Sequence, residues 1–333
     1  WIENAETENL TFVQKSNLRE IKKKWLRRHS LPVSLVKNIL IARSNCELNW
    51  RKQKENNDWK GFLKNFREVV KYSKEKANIL SDVLCLTPYE SLMDGYEPGL
   101  KEKTVDELFN DIQLWLPDLI NKALLKQQNQ KIIVPKGPFP INLQKELCHK
   151  VMELFGFDFN RGRLDTSIHP FCGGVPDDVR ITTRFSESKF LAPLFGAIHE
   201  TGHARYEQNL PEKFYGQLIG EARSMSIHES QSLFFEMQLG CHPKFIECLS
   251  PLIIEKFGKQ KSFSFENLYK LITKVSPGFI RVDADEVTYP AHIIVRYEIE
   301  RKLINNQIKV DEVPELWREK MKNLLGIDTK GNF

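Results

Sequence analysis

Apolar residues recur at the spacing of an α-helix along most of the chain. Leu18 and Ile21 begin such a pattern in a lysine-rich stretch that stops near Ser30. The spacing predicts a second helix over 33–55 and a third that starts after Asp58, a residue type that favours the position before a helix. The charged residues between the apolar ones form the solvated faces of these helices. The first part of the chain is therefore expected to be helical.

Two further helices are expected before the middle of the chain. Thr104 and Glu107 have the spacing of a capping box at the start of a helix that runs through Leu119. A proline-rich break follows, and the next helix is expected from about Asn142 to near Gly156. No internal repeat and no flexible interdomain linker is visible in the sequence.

The section 157–185 has a different pattern. It is rich in glycine, and apolar residues or threonine alternate with other residues at Val179, Ile181, Thr183 and Phe185. An alternation with a period of two is typical of short strands. Helical spacing resumes after this section and continues to the end of the chain. The predicted fold class is therefore mainly α with one small β element.

The composition is that of a globular protein and excludes several other classes. The chain has 333 residues, of which 41% are hydrophobic and 28% charged. Its 49 basic and 44 acidic residues leave a net charge of +5, an excess too small to indicate a nucleic-acid partner. No apolar run approaches the roughly 20 residues needed to cross a bilayer, and residues 1–30 lack the apolar core of a signal peptide. We therefore expect a cytoplasmic protein with no membrane contact.

The cysteines give no sign of a disulfide framework or of a cysteine metal site. All six are scattered, and none belongs to a CxxC pair. A large cytoplasmic domain needs no disulfides, so we expect the thiols to be reduced and mostly buried. They are Cys46, Cys85, Cys148, Cys172, Cys241 and Cys248.

Residues 199–203 read His-Glu-Thr-Gly-His, the HExxH pattern. Residues four apart on a helix share one face, so His199 and His203 can bind one zinc ion while Glu200 reaches a metal-bound water. Chance predicts roughly 0.03 such matches in this chain. The alternative is two core or surface histidines on an ordinary helix. Gly202 favours the metal, because a glycine inside a helix costs about 1 kcal/mol and indicates close packing against another element.

A catalytic zinc usually has three protein ligands and one open position, so a third ligand is expected downstream. Glu229 is favoured, because a predicted helix over 218–239 would return antiparallel with this acid near its middle, between Met225 and Leu233. His228 fits a partner of a ligand better than a ligand. The other candidates are nearby acids: Glu207, Glu212, Glu221 and Glu236.

Five short motifs follow one another in order along the chain. They are HPF at 169–171, DxRxT at 178–182, HExxH at 199–203, HESQ at 228–231 and IRxxAD at 280–285. In these motifs and their order the chain resembles the carboxypeptidase Taq family of zinc metallocarboxypeptidases. The resemblance extends from about Asn17 over nearly the whole chain.

The resemblance implies a site, a fold and an assembly. It implies zinc ligation by His199, His203 and Glu229. Glu200 would then activate the zinc-bound water that removes carboxy-terminal residues from a peptide. The implied fold is a multi-helix, saddle-like zinc peptidase with a deep groove and a small β element near the active site, related in architecture to neurolysin and angiotensin-converting enzyme. A homodimer is also implied, and the sequence leaves open whether Co²⁺ replaces Zn²⁺.

Two departures from the family pattern bear on activity. After HESQ the family usually reads Ser-Arg-x-Trp-Glu, whereas this chain reads SLFFE at 232–236. The family's GxxQDxHW motif does not occur in the sequence. We therefore expect a single incomplete catalytic domain over 1–333, with a helical part at 1–156, the motifs in 157–333 and both ends shortened. The alternative to an active enzyme is a zinc-binding remnant, or half of a split enzyme that needs a complementing polypeptide.

A carboxypeptidase needs a cation that recognises the terminal carboxylate of its peptide substrate. Arg281 and Arg180 are the candidates, since a guanidinium can bind a carboxylate through two hydrogen bonds. For each, the alternative is a structural ion pair with a neighbouring aspartate. His169 is a candidate donor to the substrate or the developing oxyanion, with a loop-packing histidine as the alternative. HExxH with a glutamate also serves aminopeptidases and endopeptidases, which are the rival specificities.

Overall fold

The computed structural model describes residues 2–167 and 170–330. Within these ranges lie thirteen α-helices and one three-stranded sheet, so the prediction of a mainly helical chain with a small β element is confirmed. None of the helices in these ranges is long and apolar enough to span a membrane. The helices are α1 (Ile2–Glu6), α2 (Phe12–His29), α3 (Val33–Glu55), α4 (Trp59–Leu84), α5 (Pro88–Met93), α6 (Glu102–Gln127), α7 (Ile141–Leu154), α8 (Leu191–Gln208), α9 (Met225–Leu233), α10 (Pro243–Phe257), α11 (Phe265–Ile272), α12 (Tyr289–Ile304) and α13 (Val313–Leu325).

The chain divides into two compact units, which we call the first and the second unit. The first unit consists of Trp1–Lys126 together with Val275–Phe333, and the second unit is Gln127–Lys274. HExxH and HESQ both lie in the second unit, whereas IRxxAD lies in the first.

The first unit is built from packed helices. α3 and α4 pack against each other and begin where the sequence predicts, with an Asp58 oxygen accepting a hydrogen bond from the backbone N–H of Gly61 at 2.9 Å. Its larger core joins α6, α12 and α13 through fully buried residues such as Leu116, Ile294 and Met321. Burial of these apolar faces is what holds the helices of this unit together.

The start of α6 differs from the predicted one. The helix begins at Glu102, so Thr104 lies inside its first turn and the predicted capping box does not form. The reason is a tertiary contact: the buried carboxylate of Glu90 accepts a hydrogen bond from the backbone N–H of Glu102 at 3.1 Å. Glu90 also closes a capping box with Thr87 at the start of α5. One carboxylate therefore serves the starts of two helices, which the local sequence does not reveal.

The sheet of the second unit lies next to the helix that carries HExxH. Its strands are β1 (Gly162–Thr166), β2 (Phe171–Val175) and β3 (Asp178–Thr183), and β3 is central, parallel to β1 and antiparallel to β2. Val179 and Ile181 are buried, as their alternation predicts, whereas Phe185 lies beyond the strand. The hydroxyl of Thr183 donates to the carbonyl of Pro193 at 3.1 Å and thereby fastens β3 to the first turn of α8.

The predicted helix over 218–239 forms only from Met225 onward. The segment Leu218–Gly220 is a single 3₁₀ turn, and the backbone is extended at Glu221. Gly220 packs so closely on Phe214 that a Cβ there would lie 2.4 Å from its carbonyl oxygen. α9 begins after Ser224, which caps it, and passes into a π-helical segment, Phe234–Leu239.

The cysteines are free, but the expectation that most of them are buried is wrong. Only Cys148 is buried, whereas Cys85 and Cys248 are exposed and the other three are intermediate. Cys85 follows α4 in a left-handed backbone conformation, and Cys248 lies on the outer face of α10. The end of one helix and the outer face of another therefore account for the two exposed thiols.

Candidate metal centre

The two histidines of HExxH lie one turn apart on α8, with ring centroids 5.1 Å apart. The helix is anchored by fully buried residues on either side of them, including Ile198 and Ala204. The side chains of His199 and His203 are 22% and 12% exposed, so both rings are held within the protein and reachable from its surface.

Gly202 determines how closely α9 approaches α8. A Cβ at this position would lie 2.5 Å from the carbonyl oxygen of Gln231 and 2.6 Å from the Cα of Ser232. The close packing that the sequence predicts for this glycine is therefore confirmed. Because the two backbones nearly touch here, Glu229 on α9 is brought level with the imidazoles of α8.

The ligand atoms of His199, His203 and Glu229 all lie within 4.8 Å of one another. An oxygen of Glu229 is 3.2 Å from Nε2 of His203 and 3.9 Å from Nε2 of His199. Two ligands of a tetrahedral zinc ion, each about 2.0–2.2 Å from the metal, lie about 3.3–3.6 Å apart. The three side chains therefore fit a single divalent ion with two nitrogen ligands and one oxygen ligand.

Glu236 fixes the orientation of the first histidine. One of its carboxylate oxygens accepts a hydrogen bond from Nδ1 of His199 at 2.8 Å. This contact places the proton on Nδ1 and leaves the lone pair of Nε2 facing His203 and Glu229. Glu236 reaches the ring from the π-helical segment, whose wider turn changes the direction of side chains relative to α9.

The second histidine is fixed by a chain of two hydrogen bonds. Nδ1 of His203 lies 2.6 Å from Nδ1 of His228, whose Nε2 lies 2.7 Å from an oxygen of Glu207. With Nε2 of His203 facing the other ligand atoms, its Nδ1–H donates to His228, and the Nε2–H of His228 donates to Glu207. His228 therefore contacts the candidate ligand His203 through the nitrogen that does not face the other ligand atoms. The sequence favours such a position, that of a partner of a ligand, for His228.

Glu200 is 8% exposed and lies between the two histidines in sequence. Burial raises the pKa of its carboxyl. The charges of Glu229 and Glu236 also raise this pKa, whereas the two histidines lower it, and the net shift is upward. The pKa of Glu229 is lowered instead, first by its close contact with the imidazole of His203. Burial lowers the pKa of His199, but the hydrogen bond and charge of Glu236 outweigh it and leave the pKa above its ordinary value. The cluster thus holds two carboxyls whose proton affinities are driven apart.

Two acids named as alternative third ligands contact histidines away from the three candidate ligand atoms. Glu207 and Glu236 bind His228 and His199, respectively, and neither takes the place of Glu229. Glu212 is exposed in a 3₁₀ turn, and Glu221 precedes α9. The sequence signal that points to Glu236 is its spacing of seven residues from Glu229, which returns it to the same side of a helix.

The candidate substrate-binding residues are placed differently. The guanidinium of Arg180 binds Asp178, with Nη2–H and Nε–H donating to one oxygen at 2.7 and 3.0 Å. Nη1 of Arg281, in the first unit, donates to the hydroxyl of Tyr289 at 3.0 Å. Among the residues that the structure describes, Arg281 forms no ion pair with a carboxylate, in contrast to the alternative expected from the sequence. His169 lies outside the described residues.

Comparison with known proteins identifies the family. A model of the family described as carboxypeptidase Taq (M32) metallopeptidase matches residues 2–332. The chain belongs to this family. It is 35% identical to thermostable carboxypeptidase 1 of Thermus thermophilus over 345 aligned residues, with 99% of the chain and 67% of that relative covered. It is also 35% identical to carboxypeptidase 1 of Bacillus subtilis, with 92% of the chain and 61% of that relative covered.

Solved structures of M32 proteins share the fold. Metallocarboxypeptidase 1 of Trypanosoma cruzi superposes with a TM-score of 0.95 at 43% identity, and the match covers 99% of this chain and 67% of that one. A carboxypeptidase of Pyrococcus furiosus gives a TM-score of 0.91 at 30% identity, covering 98% and 66%. The chain thus spans about two thirds of the length of the M32 proteins that it matches.

Proposed function

We propose that the chain is a zinc-dependent metallocarboxypeptidase that removes carboxy-terminal residues from peptides. The observation that carries the proposal is the convergence of His199, His203 and Glu229 beside a buried acid, Glu200, on a chain of the M32 family. Two nitrogens and one oxygen form the ligand set of many zinc peptidases, and they leave positions for water and substrate. Co²⁺ is the second metal that we expect the site to accept.

The side chains around the site have separate tasks in this proposal. A bound zinc ion would polarise the scissile carbonyl and lower the pKa of a water molecule. Glu200 takes a proton from the attacking water and passes it to the leaving amine, and burial, which raises the pKa of this carboxyl, favours such a transfer near neutral pH. His228 and Glu236 hold the two imidazoles in the tautomer that presents Nε2.

We assign recognition of the substrate's terminal carboxylate to Arg281 rather than to Arg180. The guanidinium of Arg180 already donates to both oxygens of Asp178, whereas Arg281 donates to a neutral hydroxyl and keeps an unneutralised charge among the described residues. A guanidinium with free donors is the group suited to a carboxylate. His169 remains the proposed donor to the substrate or to the developing oxyanion.

The partner is a peptide with a free carboxyl end, and we propose that the protein acts as a cytoplasmic homodimer without nucleic-acid or membrane contact. These proposals rest on the family resemblance, the small net charge and the lack of long apolar runs in the sequence. Light scattering after size-exclusion chromatography would show the dimer as twice the 38.9 kDa of one chain.

The test compares one peptide in two forms, with a free and with an amidated carboxyl end. The zinc-loaded chain should release the last residue of the free form and leave the amidated form intact. Glu200→Gln should retain zinc and lose about 10²–10⁴-fold in turnover, the usual contribution of a general base. Glu212→Gln, the same change at an exposed acid, should leave turnover unchanged.

Two outcomes separate the rivals. Equal cleavage of both peptide forms would contradict a carboxypeptidase and favour an aminopeptidase or endopeptidase specificity. Zinc binding without turnover would support the zinc-binding remnant, or a half enzyme that needs a complementing polypeptide.

A further inference from the structure

A cavity of about 690 Å³ lies within the first unit, among α2, α3, α4, α5 and α12. Its volume is in the range typical of sites for small ligands. None of its lining residues belongs to the five motifs, and none belongs to the metal centre.

The walls of the cavity are largely apolar. Phe66, Val69 and Val70 contribute from α4, with Leu92 from α5 and Leu303 from α12. Val70 and Leu303 are also part of the buried core, so this wall is held in place by packing on its outer side. A wall of this kind favours an apolar chain or ring over a fully polar ligand.

Three cations line the same cavity: Arg27, Arg43 and Lys76. Arg27 is already engaged, since it donates to the carboxylate of Asp94 at 3.1 Å and to the carbonyl of Ser91 at 2.9 Å. Over residues 2–167 and 170–330, neither Arg43 nor Lys76 has a carboxylate within ion-pair distance. The exposed Arg43 and the half-buried Lys76 therefore line the cavity without a carboxylate partner.

The one acid in the lining has a basic partner on its own helix. Glu300 binds Arg296 at 3.2 Å, on its own helix. Burial lowers the pKa of Lys76, and the charges of Arg43 and Arg27 lower it further. The hydroxyls of Ser73 and Tyr89 add two neutral donors to the lining.

We propose that this cavity binds a small organic anion that has a carboxylate or phosphate head and an apolar tail. The head lies against Arg43 and Lys76, and the tail lies against the apolar wall of α4 and α5. The charge of the head pairs with Lys76, which is half-buried beside the apolar wall, and with the exposed Arg43. This binding is independent of the metal centre and goes beyond the proposed peptidase function.

Calorimetric titration of the 333-residue chain tests the proposal with three probes that contain ten carbon atoms each. They are decanoate and decyl phosphate, each kept below its micelle concentration, and decanol, kept below its solubility limit. At least one of the two anions should bind, and decanol should bind at least 10-fold more weakly. The anion that binds with the higher affinity identifies the preferred head group, carboxylate or phosphate.

Variants test whether the named cations carry the affinity. Arg43→Gln and Lys76→Gln should each weaken anion binding about 10- to 100-fold, the usual effect of removing a charge-assisted hydrogen bond. Lys76→Arg should retain binding. Lys64→Gln, which removes one charge from an exposed position on the same helix, should leave the affinity unchanged. Circular dichroism and thermal unfolding of each variant would show that a loss of binding is not a loss of fold.

The proposal is overturned if neither anion binds, if decanol binds as tightly as the anions, or if the folded glutamine variants bind as the parent does. Glu200→Gln and removal of zinc by a chelator should leave anion binding intact. Failure of the peptidase proposal would therefore not affect this result, and failure here would not affect that proposal.

Discussion

A Cβ on Gly202 would lie 2.5 Å from the carbonyl oxygen of Gln231, so the contact between α8 and α9 has no room for any side chain. In an ordinary helix, alanine is about 1 kcal/mol more favourable than glycine. Here we expect Gly202→Ala to reverse this preference and to lower the free energy of unfolding by about 1–3 kcal/mol, because α9 must move away. The same movement should draw Glu229 from the histidines and weaken zinc binding.

Thermal unfolding with and without zinc measures both effects. Gly196→Ala, on the same helix, is the matched control, since a Cβ there meets only the side-chain hydroxyl of Thr183 in β3, at 3.2 Å, and no backbone atom. A Gly202→Ala variant as stable as the parent, with the same zinc affinity, would show that the two helices are not in tight contact.

The ligand set predicts a stabilisation that depends on zinc. A ligand at about 100 times its dissociation constant raises the free energy of unfolding by about 2.7 kcal/mol if it binds only the folded state. Glu229→Gln should lose most of this gain at the same zinc concentration, because an amide oxygen is a weaker ligand than a carboxylate. Unfolding followed by circular dichroism measures it, and Glu212→Gln should keep the full gain. Equal stabilisation of Glu229→Gln and the parent would remove Glu229 from the ligand set.

The chain of hydrogen bonds behind His203 predicts that distant groups set the zinc affinity. His228→Ala removes the acceptor for Nδ1–H of His203, and Glu207→Gln removes the carboxylate that orients His228. Each change should lower zinc affinity about 10- to 100-fold without removing a ligand. Competition with a chelator measures the affinity. His29→Ala, at an exposed histidine of the first unit, is the control, and an unchanged affinity in both site variants would contradict the positioning role.

The HExxH spacing predicts most of this site, because a helix necessarily places residues four apart, such as His199 and His203, on one face. The sequence favours Glu229 partly for a wrong reason, because Met225, one of its two apolar neighbours, is 44% exposed. The sequence also does not reveal the histidine contacts of Glu207 and Glu236. They depend on how α8, α9 and the π-helical segment meet in space, which local periodicity does not encode.

The same limit explains which helix boundaries could be predicted. α3 and α4 begin where prolines and Asp58 place them, because these signals act within one turn. α6 begins two residues before Thr104, because Glu90 caps it from another helix. Local chemistry therefore predicts a boundary until a side chain from elsewhere competes for the same backbone groups.

The cysteines should differ widely in their reaction with iodoacetamide. Burial raises the pKa of Cys148 to about 12, and burial together with Glu200 and Glu207 raises that of Cys172 to about 12. Only the thiolate reacts, so at pH 8 both should be modified far more slowly than the exposed Cys85 and Cys248. Peptide mapping by mass spectrometry measures the order, and labelling in denaturant provides the control. Modification of Cys148 as fast as Cys85 in the folded protein would contradict its burial.

Substitutions of Arg281 and Arg180 should have different effects on kcat/KM for a substrate with a free carboxylate. Arg281→Gln should lower kcat/KM for a peptide with a free carboxyl end about 10- to 100-fold, the effect of one lost charge-assisted interaction, mainly through KM. Arg281→Lys should restore part of it, because the charge remains while the paired donors are lost. Arg180→Gln should change kcat/KM less, since Asp178 already binds its guanidinium. A larger loss for Arg180→Gln than for Arg281→Gln would reverse the assignment, because the guanidinium would then have to leave Asp178 for the substrate.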